Sequence, residues 1–380
     1  MKKKMLSMLL VLAMTLSLTA CGQDTATGTA EGAEAAQTTE ATENTDNTEE
    51  EEASATAEAA ETEAPAETDS EAASETAYPV TVTDQAGREV TIEDEPQKLV
   101  SGYYITTSLL IALDLDEKLV GIEAKADTRP IYSLSAPGLL ELPSVGTAKE
   151  FDLEGCAALE PDLVILPLKL QSAVESLEEL DMDVLLVNPE DQELLEEAVT
   201  LIGTATNTMN QAQKLLDFSA EQETRLEETL ADEETPSVYL AGNSDFLSTA
   251  GGAMYQSDMI QMAGGANVAA ELTDTYWAEV SYEQVLAWNP EYIILASDSE
   301  YTVDDVLADQ NLAGCAAVEN GNVYQMPGKA EAWDSPVPSG ILGSVWLSSV
   351  LHPEVCPQAD SEAVIDEFYE TFYGFTYSEN

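Results

Sequence analysis

The sequence predicts two α/β lobes joined by one long helix, with a cleft between them. Three observations predict it. A fifteen-residue stretch is written twice. Asp152–Leu166 and Ser281–Leu295 align at a constant offset of 129 residues, so Glu154 falls on Glu283 and Pro161 on Pro290. Each copy reads as a short helix opened by an acid, stopped by proline and followed by an apolar strand. Elsewhere strands alternate with helices, the mark of a largely parallel sheet with covered faces. Between the copies, residues 207–232 hold no glycine or proline and carry a broken apolar stripe of Leu215, Leu216, Phe218, Leu226 and Leu230. At 1.5 Å per residue that is one helix about 40 Å long, a strut and not a flexible hinge.

Taken in order, the chain opens with Lys2, Lys3 and Lys4 before an apolar run over 5–18. Residues 1–20 therefore read as a secretory signal. It ends Leu18-Thr19-Ala20-Cys21, which resembles a bacterial lipobox and predicts a lipid on Cys21. Buried methylenes would supply the anchoring energy, roughly 0.8 kcal/mol each. No other apolar stretch is long enough to span a bilayer. Residues 22–77 are mostly Ala, Thr, Glu and Ser, with almost nothing large and apolar and no lysine or arginine. Such a segment cannot bury enough surface to order itself, so 21–77 reads as a lipidated cysteine and a disordered acidic tether. A tether that long suits a Gram-positive surface protein held on the outer face of the cytoplasmic membrane.

The N-terminal lobe is expected over 78–206. Residues 78–84 and 88–92 alternate with period two around Gln85-Ala86-Gly87, a β-hairpin. A strand at 99–102 leads into a helix at 106–113, and a strand follows at 119–122. Then come the first copy of the repeat, a helix at 171–180, a strand at 184–187 and a helix at 192–203. The strut occupies 207–234. The C-terminal lobe, 235–380, opens with strands at 238–241 and 246–249. A helix at 256–263 ends at Gly264-Gly265, a good C-cap. The second copy, a strand at 323–326 and helices at 341–350 and 363–372 complete it.

Composition narrows the function. The chain carries 13 Lys+Arg against 73 Asp+Glu, a formal net charge of −60. Nucleic acid and anionic lipid surfaces are excluded as partners of the protein's own charge. Each cation is informative, above all Arg129, Lys149 and Lys329. Apart from Cys21, the cysteines Cys156, Cys315 and Cys356 show no metal-like spacing, and a Cys315–Cys356 bond stays open. With His352 as the one histidine, Ser-His and Cys-His catalysis are excluded. No nucleophile elbow, P-loop, zinc-protease or dinucleotide fingerprint occurs. The expectation is a protein that is not an enzyme and has no resident cofactor or metal.

The ordered set of Asp84-Gln85-Ala86-Gly87-Arg88, Glu154 to Leu166, Ala263-Gly264-Gly265-Ala266-Asn267, Val280 to Leu295, Gly321-Asn322-Val323-Tyr324 and Trp333-Asp334-Ser335-Pro336 is similar to one family. It resembles the ABC-transporter solute-binding lipoproteins of the cobalamin and ferric-siderophore class, also called class III periplasmic binding proteins. The resemblance covers nearly all of 78–353. It implies two Rossmann-like lobes on a helical backbone, a monomer, an ABC permease with its ATPase as partners, and a metal chelate, first an iron-siderophore, as ligand. Cobalamin or another corrinoid, haem and a molybdate-type oxoanion are the alternatives on the same fold, as is a surface sensor or adhesion module without a transporter. Two departures bear on this. A bare soft-metal site needs more than His352, and a triply charged catecholate needs more than Arg88, Arg129 and Arg225. Loops after strand ends face the cleft in such folds. They carry Tyr103, Tyr104, Arg129, Tyr132 and Lys149 in the first lobe, and Asp245, Tyr276, Trp277 and Trp333 in the second. By resemblance Glu154 and Glu283, one per lobe, dock on permease arginines.

Overall fold

The computed structural model describes residues 75–273 and 277–380. The signal, Cys21, the tether up to residue 74 and Tyr276 lie outside the described residues. The alternating segment forms the expected hairpin. Strands β1 (Val80–Thr83) and β2 (Glu89–Ile92) pair antiparallel, with Val82, Val90 and Ile92 turned inward.

The first sheet is built from β3 (Leu99–Ser101), β4 (Leu119–Gly121), β5 (Leu163–Pro167) and β6 (Asp183–Val187). Its order is β4-β3-β5-β6, all parallel. Every residue of β5 is buried, as a parallel strand covered on both faces requires. The connecting helices are α1 (Tyr104–Ala112), α2 (Pro130–Ser135), α3 (Leu153–Ala158), α4 (Val174–Glu178) and α5 (Gln192–Ala205). Helix α6 (Met209–Leu230) follows.

The second sheet contains β7 (Ser237–Ala241), β8 (Ser248–Ala250), β9 (Ala266–Asn267), β10 (Trp277–Glu279), β11 (Tyr292–Leu295) and β12 (Val323–Gln325). Its order is β10-β8-β7-β11-β12, with β9 beside β7. The β7, β11 and β12 core is parallel, while β8 and β10 add an antiparallel edge. Around it lie α7 (Tyr255–Met262), α8 (Tyr282–Trp288), α9 (Val303–Ala308), α10 (Ala316–Asn320), α11 (Ile341–Leu351) and α12 (Gln358–Tyr373). The sequence reading passes over α2, α9, α10, β9 and β10, which are too short to show a period. Gly264 ends α7 at φ +78°, and the His352 ring nitrogen lies 3.3 Å from its carbonyl oxygen. Cys156, Cys315 and Cys356 are buried free thiols, so the Cys315–Cys356 bond is not formed.

The written repeat is also a structural one. Asp152 caps α3 by accepting the Gly155 N–H at 2.9 Å, and Ser281 caps α8 by accepting the Gln284 N–H at 3.3 Å. Glu154 and Glu283 each follow one residue into the helix, exposed in its first turn. The residues before the two prolines, Glu160 and Asn289, both turn left-handed at φ +50° and +48°. Past each proline an acid staples the next strand to its neighbour. Asp162 accepts the Gln97 and Lys98 N–H groups ahead of β3, and Glu291 accepts the Ser237 N–H that opens β7.

Helix α6 is 22 residues, about 33 Å, shorter than the sequence suggests because it begins after Thr208 and ends at Leu230. Its buried seam is Ala212, Leu215, Ser219, Gln222 and Leu226, a 3-4-3-4 spacing on one face. It packs on α5 from the first half and on α7 and α11 from the second. The strut is therefore not alone. Helix α11 lies along α6, α12 packs on α1, and one apolar cluster runs through both halves.

Candidate functional site

The carboxyl ends of the parallel strands in both sheets meet at one cleft of about 240 Å³. The start of α1 after β3 contributes Tyr104, and the loop beyond β4 contributes Thr128, Arg129 and Tyr132. Across from them stand Asn243 beyond β7, Asp298 beyond β11, and Glu331 and Ser335 beyond β12. Ligands of open α/β sheets bind at such strand ends.

Arg129 is the chemically prominent group. Its guanidinium lies over the Tyr104 ring, 4.1 Å from the centroid. Arg88 is held by Asp84 at 3.0 Å and by Glu178, and Arg225 donates to Gln222, whereas no ion pair among the described residues includes Arg129. A cation without a carboxylate partner in so acidic a chain is available to a ligand. Pro130 directly after it fixes the first turn of α2 and so sets where Arg129 stands.

Beneath Arg129 the cleft wall is polar and buried. The Tyr132 hydroxyl donates to Glu123 at 2.6 Å, and the Thr107 hydroxyl donates to the other oxygen at 2.6 Å. Burial pushes the Glu123 carboxyl above its ordinary range, against the pull of these two donors. Burial likewise raises the Tyr132 hydroxyl. Asp334 accepts the Ser297 hydroxyl at 2.6 Å and its N–H at 3.1 Å, tying the loop after β12 to the end of β11.

Of the residues expected from sequence, Tyr104, Arg129 and Tyr132 come together in the cleft. Tyr103 stands beside it, edge-on to Tyr104 at 5.2 Å and packed near Leu195 and Val337. Lys149 is exposed in a loop closed by the Gly146–Phe151 bridge and does not line the cleft. Asp245 is exposed and accepts the Leu247 N–H in its own turn. Trp277 is half-exposed on β10 with its ring against Gly242. Trp333 lies behind the cleft, 1% exposed, donating its indole N–H to the Tyr369 hydroxyl at 2.9 Å and lying against Tyr377. It is a core side chain, not a surface aromatic. Trp333→Ala is expected to cost about 3–5 kcal/mol of stability, the usual range for a deleted core aromatic, which urea denaturation can measure. Of the other polar lining residues, Thr128 and Asn243 belong to loops that the sequence turns toward the cleft, whereas Asp298 and Glu331 lie outside the loops it marks. For Asn243 a signal existed, since its loop follows the strand expected at 238–241.

A larger open groove of about 770 Å³ runs between the hairpin, α5 and α6. Its walls carry Glu193, Glu196, Glu197 and Asp217 and no cation, so it offers an anion nothing. Among the described residues no acid, histidine and cysteine cluster could hold a metal, and no helix is long and apolar enough to cross a membrane.

The profile of the family described as periplasmic binding protein matches residues 99–330, which takes in both sheets and most of the cleft. The chain belongs to the periplasmic binding protein family. This periplasmic binding protein is 28% identical to the molybdate-binding protein MolA of Haemophilus influenzae, over 78% of this chain and 91% of that one. The MolA structure with bound molybdate superposes with a TM-score of 0.69 at 26% identity, covering 78% of this chain and 99% of MolA. A periplasmic solute-binding protein of Veillonella parvula gives 0.69 and 26%, over 78% of this chain and 93% of that one. A vitamin B12-binding protein of Yersinia pestis is 25% identical over 56% of this chain and 73% of its own length. This protein is accordingly a non-catalytic, extracytoplasmic solute-binding component of an ABC transporter system, a role that implies a cognate permease and ATPase.

Proposed function

We propose that this binding protein captures a small oxoanion of the molybdate type and delivers it to its permease. The observation that carries the reading is Arg129, unpaired among the described residues and laid on Tyr104 in a cleft of about 240 Å³. The planar guanidinium fork suits two oxygens of a tetrahedral anion. Thr128, Asn243 and Ser335 add neutral hydrogen-bonding groups to the wall. The volume falls below the roughly 300–1,000 Å³ of pockets for drug-sized ligands, and a corrinoid, haem or ferric siderophore is bulkier than those. The molybdate-bound relative supports the same chemistry. The oxoanion is thus favoured over the iron-siderophore chelate that the sequence alone puts first.

Cys21 fits this role as the lipid attachment point. Glu154 and Glu283 fit it as docking groups. Both are exposed in the first turn of their helices. Asp152 follows the Val145–Ile122 contact beyond β4, and Val280 follows the β10–β8 pairing beside the end of β7.

A thermal-shift series with molybdate, tungstate, cobalamin, haem and a ferric hydroxamate tests the ligand. An anion at a hundred times its Kd stabilises by about 2.7 kcal/mol, a rise of roughly 4–8 °C for a body this size. Molybdate or tungstate should give that rise. A rise with cobalamin or the hydroxamate and none with either oxoanion overturns the reading.

A further inference from the structure

Two carboxylates line the cleft among the described residues, Asp298 and Glu331. Asp298 is exposed to solvent, which can screen it, whereas Glu331 is 8% exposed. One Glu331 oxygen accepts the Ser108 hydroxyl from α1, and the other accepts the Ser339 hydroxyl at 2.6 Å from the turn ahead of α11. Ser108 in turn shares a hydrogen bond of 2.8 Å with the Tyr373 hydroxyl of α12. The carboxyl therefore sits at the junction of the two halves, on the cleft floor. No ion pair among the described residues includes it.

The titratable groups facing it are Arg129 from the loop before α2, Tyr104 of α1, Tyr132 of α2, and Tyr369 and Tyr373 of α12. One of these is a cation. An anion drawn to Arg129 thus enters the same small cleft as a buried carboxyl. Were that carboxyl ionised, two like charges would share one small cleft, an arrangement that raises the pKa of the weaker acid. The hydroxyls around it can each donate or accept, so the cradle holds a carboxylic acid as readily as a carboxylate.

We infer that the cleft binds its oxoanion together with a proton, and that this proton rides on the Glu331 carboxyl between Ser108 and Ser339. The inference rests on the oxoanion reading above. The proton comes from solvent and neutralises the carboxylate. No other bond is made or broken. Burial pushes this carboxyl above its ordinary range, with Ser108, Ser339, Tyr373 and Arg129 opposing the shift. A bound anion adds to the same direction.

The test is calorimetric titration with molybdate from about pH 6 to about pH 9, a range over which molybdate itself stays a dianion. For one linked proton the affinity should fall about tenfold per pH unit in the upper part of the range. Paired buffers of different ionisation enthalpy should register the proton taken up. Glu331→Gln, neutral at every pH, should bind with no such slope. Asp183→Asn, at the start of β6 and outside the cleft lining, should keep the slope, although burial raises that acid too. A flat native profile with no proton uptake, or a native slope retained in Glu331→Gln, overturns the inference. Should Glu331→Gln fail to fold, the proton count of the native protein still decides. Native protein that binds no oxoanion at any pH would instead remove the oxoanion reading beneath it.

Discussion

Arg129→Ala should weaken molybdate binding by at least about 30-fold and leave the fold almost untouched. Truncating one partner of a desolvated, charge-assisted contact costs about 2–5 kcal/mol, a loss of roughly 30- to 5,000-fold in affinity. The unliganded protein loses little, because the guanidinium forms no ion pair among the described residues and gives up only its place over Tyr104. Such a cation–π contact contributes on the order of 0.5–2 kcal/mol. Titration calorimetry beside thermal melting separates the two effects. Arg129→Lys should recover part of the affinity, since it restores the charge without the two-pronged geometry. Native-like binding by Arg129→Ala would mean that the ligand is anchored elsewhere.

The double change of Glu154 and Glu283 to alanine is expected to abolish uptake by cells while ligand affinity stays at its native value. Neither residue lines the cleft. Each sits in the first turn of a helix with its own N-cap, so the helices survive the change. The Glu283 carboxyl is held below its ordinary range by its own backbone N–H and by the Ser281 hydroxyl, and remains ionised at any physiological pH. Docking through exposed charges weakens with salt, because the screening length is about 8 Å at physiological ionic strength. Radiolabelled molybdate uptake, set against equilibrium binding by the purified protein, reads both quantities. Transport that survives the double change would leave the two glutamates as helix-opening residues and nothing more.

The legible parts of this chain are those whose cause lies close in sequence. The repeat could be read because capping residue, acid, proline and apolar strand all fall within fifteen positions. Gly264 could be read because a left-handed turn after a helix asks for glycine. Arg129 stood out because cations are scarce in a chain of net charge −60. What could not be read depends on distant partners. Trp333 looks like a cleft aromatic until Tyr369, 36 residues on, supplies the acceptor that lets it be buried. Glu331 looks like a solvated acid until Ser108, 223 residues away, supplies its hydroxyl. The seam of α6 keeps Leu215 and Leu226 of the expected stripe and departs from the rest for a related reason. It uses Ser219 and Gln222 where a leucine stripe was expected, and Leu216 and Phe218 are only partly buried beside it.

Helix α6, held along one face by α5, α7 and α11, has a consequence for traffic at the membrane. Two bodies on stiff, laterally packed beams change little in the span between their corners when a small guest arrives. A permease that greets Glu154 and Glu283 would receive much the same handshake from an empty carrier as from a full one. Vacant carriers would then queue at the importer alongside laden ones. Delivery would follow the fraction of carriers holding cargo, and simply making more of them would not quicken it.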